Sequence, residues 1–419
     1  MADAAAVPDR CGIDTVEIAR IERLLAETPP AALGRWFSAR ELADAGGARE
    51  RAASLAARFA AKEACAKLFP RETALGRLAP EDFSVASDNY GAPQVVCAPR
   101  AQAALGRHRI ATISLSLTHD RTSASAVALA VPAKTEAPLA GRLLYRFLPI
   151  RREVILSNLR RVYGETVGED EIVRLAQAHY AHLWRLLGEF LRFRWLSAER
   201  KAAIVRIENL DALTVAFERG KGVLVLTGHF GNWEVATIAG IGHYPGFRGR
   251  FHFVRRALKP AWLDALVTRR FNAGGFGVLP KRGSLDAILG ALEKGDFIVF
   301  PFDQHARPPD GIEVDFFGHP AWTFKSLAIL ALATGAPVVP ASSWRESDGR
   351  HVLRFEDALP PAESADAKEA IRATTRAYNE VLERLILARP EQWYWVHRRW
   401  KTVPGKGSAA RAAKSSAAP

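Results

Sequence analysis

Two short stretches place ionisable side chains where chemistry could use them. In "LVLTGHFGNWEVA", Leu224 to Ala236, the apolar run Val223–Thr227 ends at Gly228 and His229, and Glu234 follows past an aromatic turn. A His at the C-terminal mouth of a strand stands at the usual ligand edge of an α/β sheet. Near pH 7 a neutral imidazole can take the proton of a hydroxyl as that hydroxyl attacks a thioester. A carboxylate on the other ring nitrogen fixes the tautomer and stabilises the imidazolium. No protein nucleophile is needed, because the acceptor's own hydroxyl attacks. The turn "FGNW" is expected to bring Glu234 back to His229. As a bare pattern this is weak, since a strand-end His also satisfies a turn. In the second stretch, "RFAAKEACAK", Glu63 and Lys67 share a helix face, and Asp14 lies in "GIDTVEIARI". Two carboxylates and an ammonium suit Mg²⁺ on a pyrophosphate, because Mg²⁺ takes one or two carboxylates plus substrate phosphates. A solvated Glu–Lys pair is the plain alternative.

Elements must position these groups. The chain has 419 residues, enough for two or three domains, and 48% hydrophobic with 25% charged residues describes a globular protein with sizeable cores. Residues 1–132 carry 16 Lys+Arg against 15 Asp+Glu, or +1, and the remainder 42 against 30, or +12. Every Trp but Trp36 lies in that second part. Two domains follow, 1–132 and 141–402, joined by the linker 133–140 within "VPAKTEAPLAG" and followed by a disordered basic tail over 403–419. In the first domain "DTVEIARIERLL" and "SLAARFAAKEACAKLF" read as helices, and "ATISLSLTHD" and "SASAVALAV" as paired strands, an α+β order. In the second, a helical stretch over 143–196 precedes strands near 223–227, 251–254, 297–302 and 337–341. Helices between them give an α/β fold with a largely parallel sheet flanked by helices. Cys11, Cys65 and Cys97 form no C-x-x-C pair, so a reducing cytosol and no zinc site are expected. The start lacks a secretory h-region, and no apolar run suggests a transmembrane helix.

The order "GIDTVEIARI", "FSARELA", "RFAAKEACAK", "SDNYGAPQV", "SLSLTHDRTSASAVA" resembles holo-acyl-carrier-protein synthase over about residues 11–131. That resemblance implies transfer of 4′-phosphopantetheine from coenzyme A to a carrier-protein serine with Mg²⁺. By position, Asp14 and Glu63 become metal ligands and Lys67 a phosphate contact. Arg20 and Arg23 would grip the acidic carrier, and Gly91 and Pro93 would shape a loop near coenzyme A. A homotrimer is implied by the same family. Many members carry "SLSH"; here Leu117 takes that His position, and His119 follows on the same strand face. Either His119 substitutes, water takes the proton, or the domain only docks the carrier.

The second part resembles the lipid A biosynthesis lauroyl/myristoyl acyltransferases over about residues 141–401, through "NLRRVYGE", "HFGNWE", "FHFVRR", "FPFDQHARPPDGIEVDFFGHPAWT" and "LATGAPVVPA". The resemblance implies transfer of a fatty acyl chain from acyl-carrier protein to a lipid hydroxyl at the inner membrane face, without a cofactor. His229 becomes the base and Glu234 its partner. Arg255 or Arg256 would hold phosphate, with Asp303 and Gln304 on the same edge. Such an Arg pair is otherwise simply solvated, and an Asp at a strand end often caps a turn. In place of the family's apolar leading helix the chain offers only "LLYRFLPI", Leu143–Ile150. That suggests an amphipathic contact with anionic lipid and a peripheral, cytoplasmic-side location. No nucleic-acid motif is present. The acceptor could also be a non-lipid-A lipid or a glycosylated metabolite.

Overall fold

The computed structural model describes residues 10–401 except 89, 282, 361 and 363, and the tail expected over 403–419 lies outside the described residues. Its backbone forms two compact units. One comprises the chain up to Glu136 with Val162–Arg174, and the other Ala137–Arg161 with Leu175 onward. Residues 162–174 join the first unit because the Glu171 carboxylate is buried there, accepting from Arg109 (3.0 Å) and from the Thr135 hydroxyl.

The first unit is an antiparallel sheet of β1 (Cys11–Glu17), β2 (Phe83–Ser87), β3 (Pro93–Cys97), β4 (Ile110–His119) and β5 (Ser123–Pro132), ordered β1-β5-β4-β3-β2. Asp14 to Glu17, expected in a helix, are strand instead, and the helix begins only at Ile18. Pairing of β1 with β5 decides this: Asp14 lies opposite Ala126 and Val16 opposite Ala124, both buried. The helix Ala48–Ala66 packs on that face. It approaches so closely that a Cβ on Gly12 would sit 2.0 Å from the Ala64 carbonyl oxygen, which reserves the position for glycine. The rotation of this helix is fixed by the fully buried Lys62, whose Nζ lies 2.9 Å from Glu41 Oε2, while Glu41 Oε1 accepts from Val85 N.

The second unit holds a seven-stranded sheet. Its strands are β6 (Val205–Glu208), β7 (Val223–Thr227), β8 (Phe251–Arg255), β9 (Phe276–Pro280), β10 (Phe297–Pro301), β13 (Val338–Arg345) and β14 (His351–Phe355), ordered β6-β14-β13-β7-β10-β8-β9. All neighbours are parallel except β13 and β14. The hairpin β11 (Gly311–Phe316) and β12 (His319–Phe324) stands apart. Central strands β7 and β10 are almost continuously apolar and buried, as strands covered on both faces must be. The chain leaves β7 through a turn that needs Gly231. Its φ is +53°, and a Cβ there would lie 2.7 Å from the Ser343 carbonyl oxygen.

Gly231→Ala is therefore expected to destabilise the protein by at least about 1–2 kcal/mol, the cost of left-handed backbone before the carbonyl contact is added. Thermal unfolding of the two proteins side by side measures it.

Candidate active site

Parallel pairing of β7 with β10 sets Thr227 opposite Pro301, so the residues that follow each strand emerge side by side at the sheet's C-terminal edge. His229 Nδ1 lies 2.8 Å from Asp303 Oδ1, and the backbone N–H of His229 donates to Asp303 Oδ2 at 2.7 Å. The indole N–H of Trp393 donates to the same Oδ2 at 2.8 Å. Asp303 is only 3% exposed. Burial alone would raise its pKa, but the imidazole and these donors outweigh burial and hold the carboxyl well below the usual range. For His229, burial disfavours the charged ring, yet the charge of Asp303 and its hydrogen bond prevail, and the pKa is raised above 6.5. With Nδ1–H committed to Asp303, Nε2 is the free base. Gln304 Nε2 stands 3.5 Å from it.

Glu234 is not the partner of His229. It starts the helix Trp233–Gly240 and faces Arg270, with Oε1 3.7 Å from Nη1. The sequence offered two carboxylates, and strand adjacency gives the imidazole to the distant one. Burial pushes the Glu234 carboxyl up to about 7 despite Arg270. Arg255 is also committed locally, with Nη1 2.6 Å from Asp264 Oδ1 and Nη2 2.6 Å from Thr268 Oγ1. Arg256 is exposed and has no side-chain partner among the described residues.

The turn itself is held from two sides. Asn232 caps the helix Trp233–Gly240 through Val235 N (3.3 Å) and donates Nδ2 to Glu189 Oε2 (2.9 Å), on the helix Glu169–Arg192. Glu189 in turn forms a two-pronged pair with buried Arg345. From the other side, Gly231 N donates to Gln392 O, Ser343 Oγ to Phe230 O, and Tyr394 N to His229 O. Sequence reasoning passed over Trp393, Tyr394 and His397, although three Trp and a His crowded into "WYWVHRRW" were a visible signal. An apolar cavity adjoins the turn. Thr227, Trp233 and Ser343 line it beside His229, and Tyr244 and Phe251 line it at the level where the strands begin.

In the first unit, Asp14, Glu63 and Lys67 do come together. Lys67 Nζ is 2.8 Å from Asp14 Oδ1 and 2.8 Å from Ile13 O. Burial first, and then the Asp14 charge, raise the Glu63 pKa against the opposing charges of Lys67 and Arg20. Among the described residues no cluster of three or more His, Cys, Asp or Glu could hold a metal. A two-carboxylate set still fits Mg²⁺ whose remaining ligands are phosphate and water. The register puts Leu117, opposite Ala126, in the same cross-strand row as Asp14. His119, opposite Ala124, is two rows further along and exposed. Arg20 and Arg23 are exposed on the helix Ile18–Glu27, Arg20 lying over Phe59. Gly91, at φ +85°, and Pro93 enter β3 through a turn whose N–H groups Asp88 accepts.

Two family models match the chain: bacterial lipid A biosynthesis acyltransferase over residues 133–402, and the 4′-phosphopantetheinyl transferase superfamily over 10–126. A phosphatidylinositol mannoside acyltransferase of Mycolicibacterium smegmatis is 27% identical over 59% of this chain and 79% of its own length. The lipid A biosynthesis lauroyltransferase of Escherichia coli is 26% identical over 63% of this chain and 83% of its own. A holo-[acyl-carrier-protein] synthase of Treponema denticola is 41% identical over 28% of this chain and 94% of its own. The protein is thus a transferase. It belongs to the bacterial lipid A biosynthesis acyltransferase family, with a holo-acyl-carrier-protein synthase domain fused ahead of its acyltransferase domain.

Asp303→Asn should cut acyl transfer by about 10²–10⁴-fold. It should also move the acid limb of the pH–rate profile down, because the charge that raises the His229 pKa is gone. Glu234→Gln should cost far less. Its signature is in stability: a carboxyl whose pKa rises from 4.5 to about 7 on folding loses stability as pH rises through that window. Melting temperatures at about pH 5 and about pH 8 should therefore differ less in Glu234→Gln than in the unmodified protein.

Proposed function

We propose that the second unit transfers a fatty acyl chain from acyl-carrier protein to the hydroxyl of a membrane glycolipid, with His229 as general base. The observation that carries this is the His229–Asp303 pair beside an apolar cavity. The acceptor hydroxyl gives its proton to His229 Nε2 as its oxygen forms a bond to the thioester carbonyl carbon. The carbon–sulfur bond then breaks, and the carrier's sulfur takes the proton back from His229. Asp303 holds Nδ1–H throughout and stabilises the transient imidazolium. The apolar cavity lined by Trp233 and Tyr244 is smaller than a fatty acyl chain and gives the site an apolar wall beside the base. The relatives' names cover a lipid A acyltransferase and a phosphatidylinositol mannoside acyltransferase, which supports glycolipid as the acceptor class and leaves lipid A precursors as one member.

The first unit, in the same reading, moves 4′-phosphopantetheine from coenzyme A to the carrier protein. Asp14 and Glu63 would hold Mg²⁺, which neutralises the pyrophosphate. Lys67 is placed to exchange Asp14 for phosphate, and Arg20 and Arg23 face an acidic carrier. Ile13, Val96, Leu129 and Val131 are exposed on the open face of the sheet, which supports self-association there as a trimer. Among the described residues no helix is long and apolar enough to cross a membrane.

His229→Ala should lose acyl transfer by about 10²–10⁴-fold, far more than its loss of melting temperature from leaving Asp303 one donor short can explain, while carrier activation stays unchanged. A folded variant with ordinary turnover removes the base assignment. Glu63→Gln should abolish phosphopantetheine transfer with Mg²⁺ and spare acyl transfer, since the amide keeps the shape without the ligand charge. Conversion of apo to holo carrier protein measures it. Near-normal conversion would show that Glu63 holds no metal and would favour a first unit that acts through other residues.

A further inference from the structure

Two helices grip the His229 turn, and both present large apolar side chains outward. The helix Glu169–Arg192 holds it through Glu189 and Asn232. The helix Ala261–Gly274 holds it through Arg270, which pairs with Glu234 and lies 3.9 Å over the Phe190 ring. On the outward side of the first, Trp184 (57% exposed), Leu187 and Leu191 recur every three or four residues, and Trp195 (67%) follows in the short 3₁₀ turn Phe193–Trp195. On the second, Trp262 (67%) and Leu266 are one turn apart. The acids of both stretches are engaged inward, Glu189 with Arg345 and Asp264 with Arg255. Arg185, Arg192, Arg194 and Arg269 remain exposed around the apolar side chains.

We propose that this face docks on an anionic phospholipid leaflet, with Trp184, Trp195 and Trp262 at headgroup level. Exposed Trp and Leu side chains one turn apart on each of two helices that meet at Arg270 and Phe190 exceed the single apolar residues that ordinary surfaces scatter. Tryptophan favours the water–lipid interface. Arginines unopposed by carboxylates complement anionic headgroups. An acidic carrier protein would answer the arginines alone and leave three indoles in water. The purpose of the face rests on the acyltransferase reading: it sets the His229 turn against the surface from which an acceptor hydroxyl emerges. It differs from the Leu143–Ile150 contact, whose Leu143 and Phe147 are also exposed.

The test sediments the full-length protein with vesicles of phosphatidylcholine, alone or mixed with phosphatidylglycerol. Trp184→Ser/Trp262→Ser should lower vesicle partitioning about tenfold or more, while Leu143→Ser/Phe147→Ser retains more of it. Arg185→Gln/Arg192→Gln should lose the preference for phosphatidylglycerol. Leu187→Gln/Leu191→Gln serves as a second apolar variant should the Trp pair disturb folding, which melting temperature reports. Unchanged partitioning of folded Trp or Leu variants overturns the proposal. So does an effect of these variants confined to a parallel pull-down with apo acyl-carrier protein, which would assign the face to the carrier. The vesicle assay contains no acyl donor or acceptor, so its result is independent of the acyl-transfer reading, whose failure would appear only in a separate turnover assay.

Discussion

The Asp303 carboxylate receives hydrogen bonds from the His229 ring, the His229 backbone and the Trp393 indole. A buried carboxylate without partners costs several kcal/mol, so these donors decide whether the group can exist there as an anion. Meeting them requires β7 and β10 in register and the segment after Gln392 laid across their ends. The sheet order, with β7 and β10 as central neighbours, is thus tied to one pair of oxygen atoms. The charge so held is what makes the imidazole more basic and fixes its proton on Nδ1.

A second constraint acts on the other end of the turn. Arg345 is buried, and it needs Glu189; Glu189 in turn fixes Asn232. Three histidines surround this pair, His179, His182 and His351. Burial lowers the pKa of each, to about 4 for His179 and His351, so they stay neutral at ordinary pH. The turn therefore sits between one anion that serves chemistry and one ion pair that serves position. In the first unit the buried Glu41–Lys62 pair has the same positioning role. It fixes the helix that carries Glu63, and the absence of a side chain on Gly12 lets that helix close on Asp14.

Local patterns revealed which residues matter more readily than which residues meet. The strands around 223–227 and 297–302 were legible because both-face burial writes continuous apolar runs. Strands Val205–Glu208 and His351–Phe355 were not, being short and mixed in polarity, and neither was the edge strand Phe276–Pro280, where Gly277 and Pro280 weaken the strand signal. His229 and Asp303 were each found from strand ends. Their contact was not, because parallel pairing joins positions that sequence separation hides, and nearby Glu234 looked the better candidate. Asp14 does meet Glu63 and Lys67, but it was read in the wrong element, since helical spacing from Ile18 onward was extended backward over residues that β5 recruits. The aromatic closing segment was overlooked because its role is to complete a site begun far upstream.

That closing segment gives the enzyme an order of completion. Synthesis runs from the N-terminus, and domains fold as they emerge. Asp14, Glu63 and Lys67 of the first unit are all made before residue 132, whereas Asp303 waits for Trp393 to supply its last donor. A nascent chain can thus finish the holo-acyl-carrier-protein synthase domain while the acyltransferase domain still lacks its final hydrogen bond.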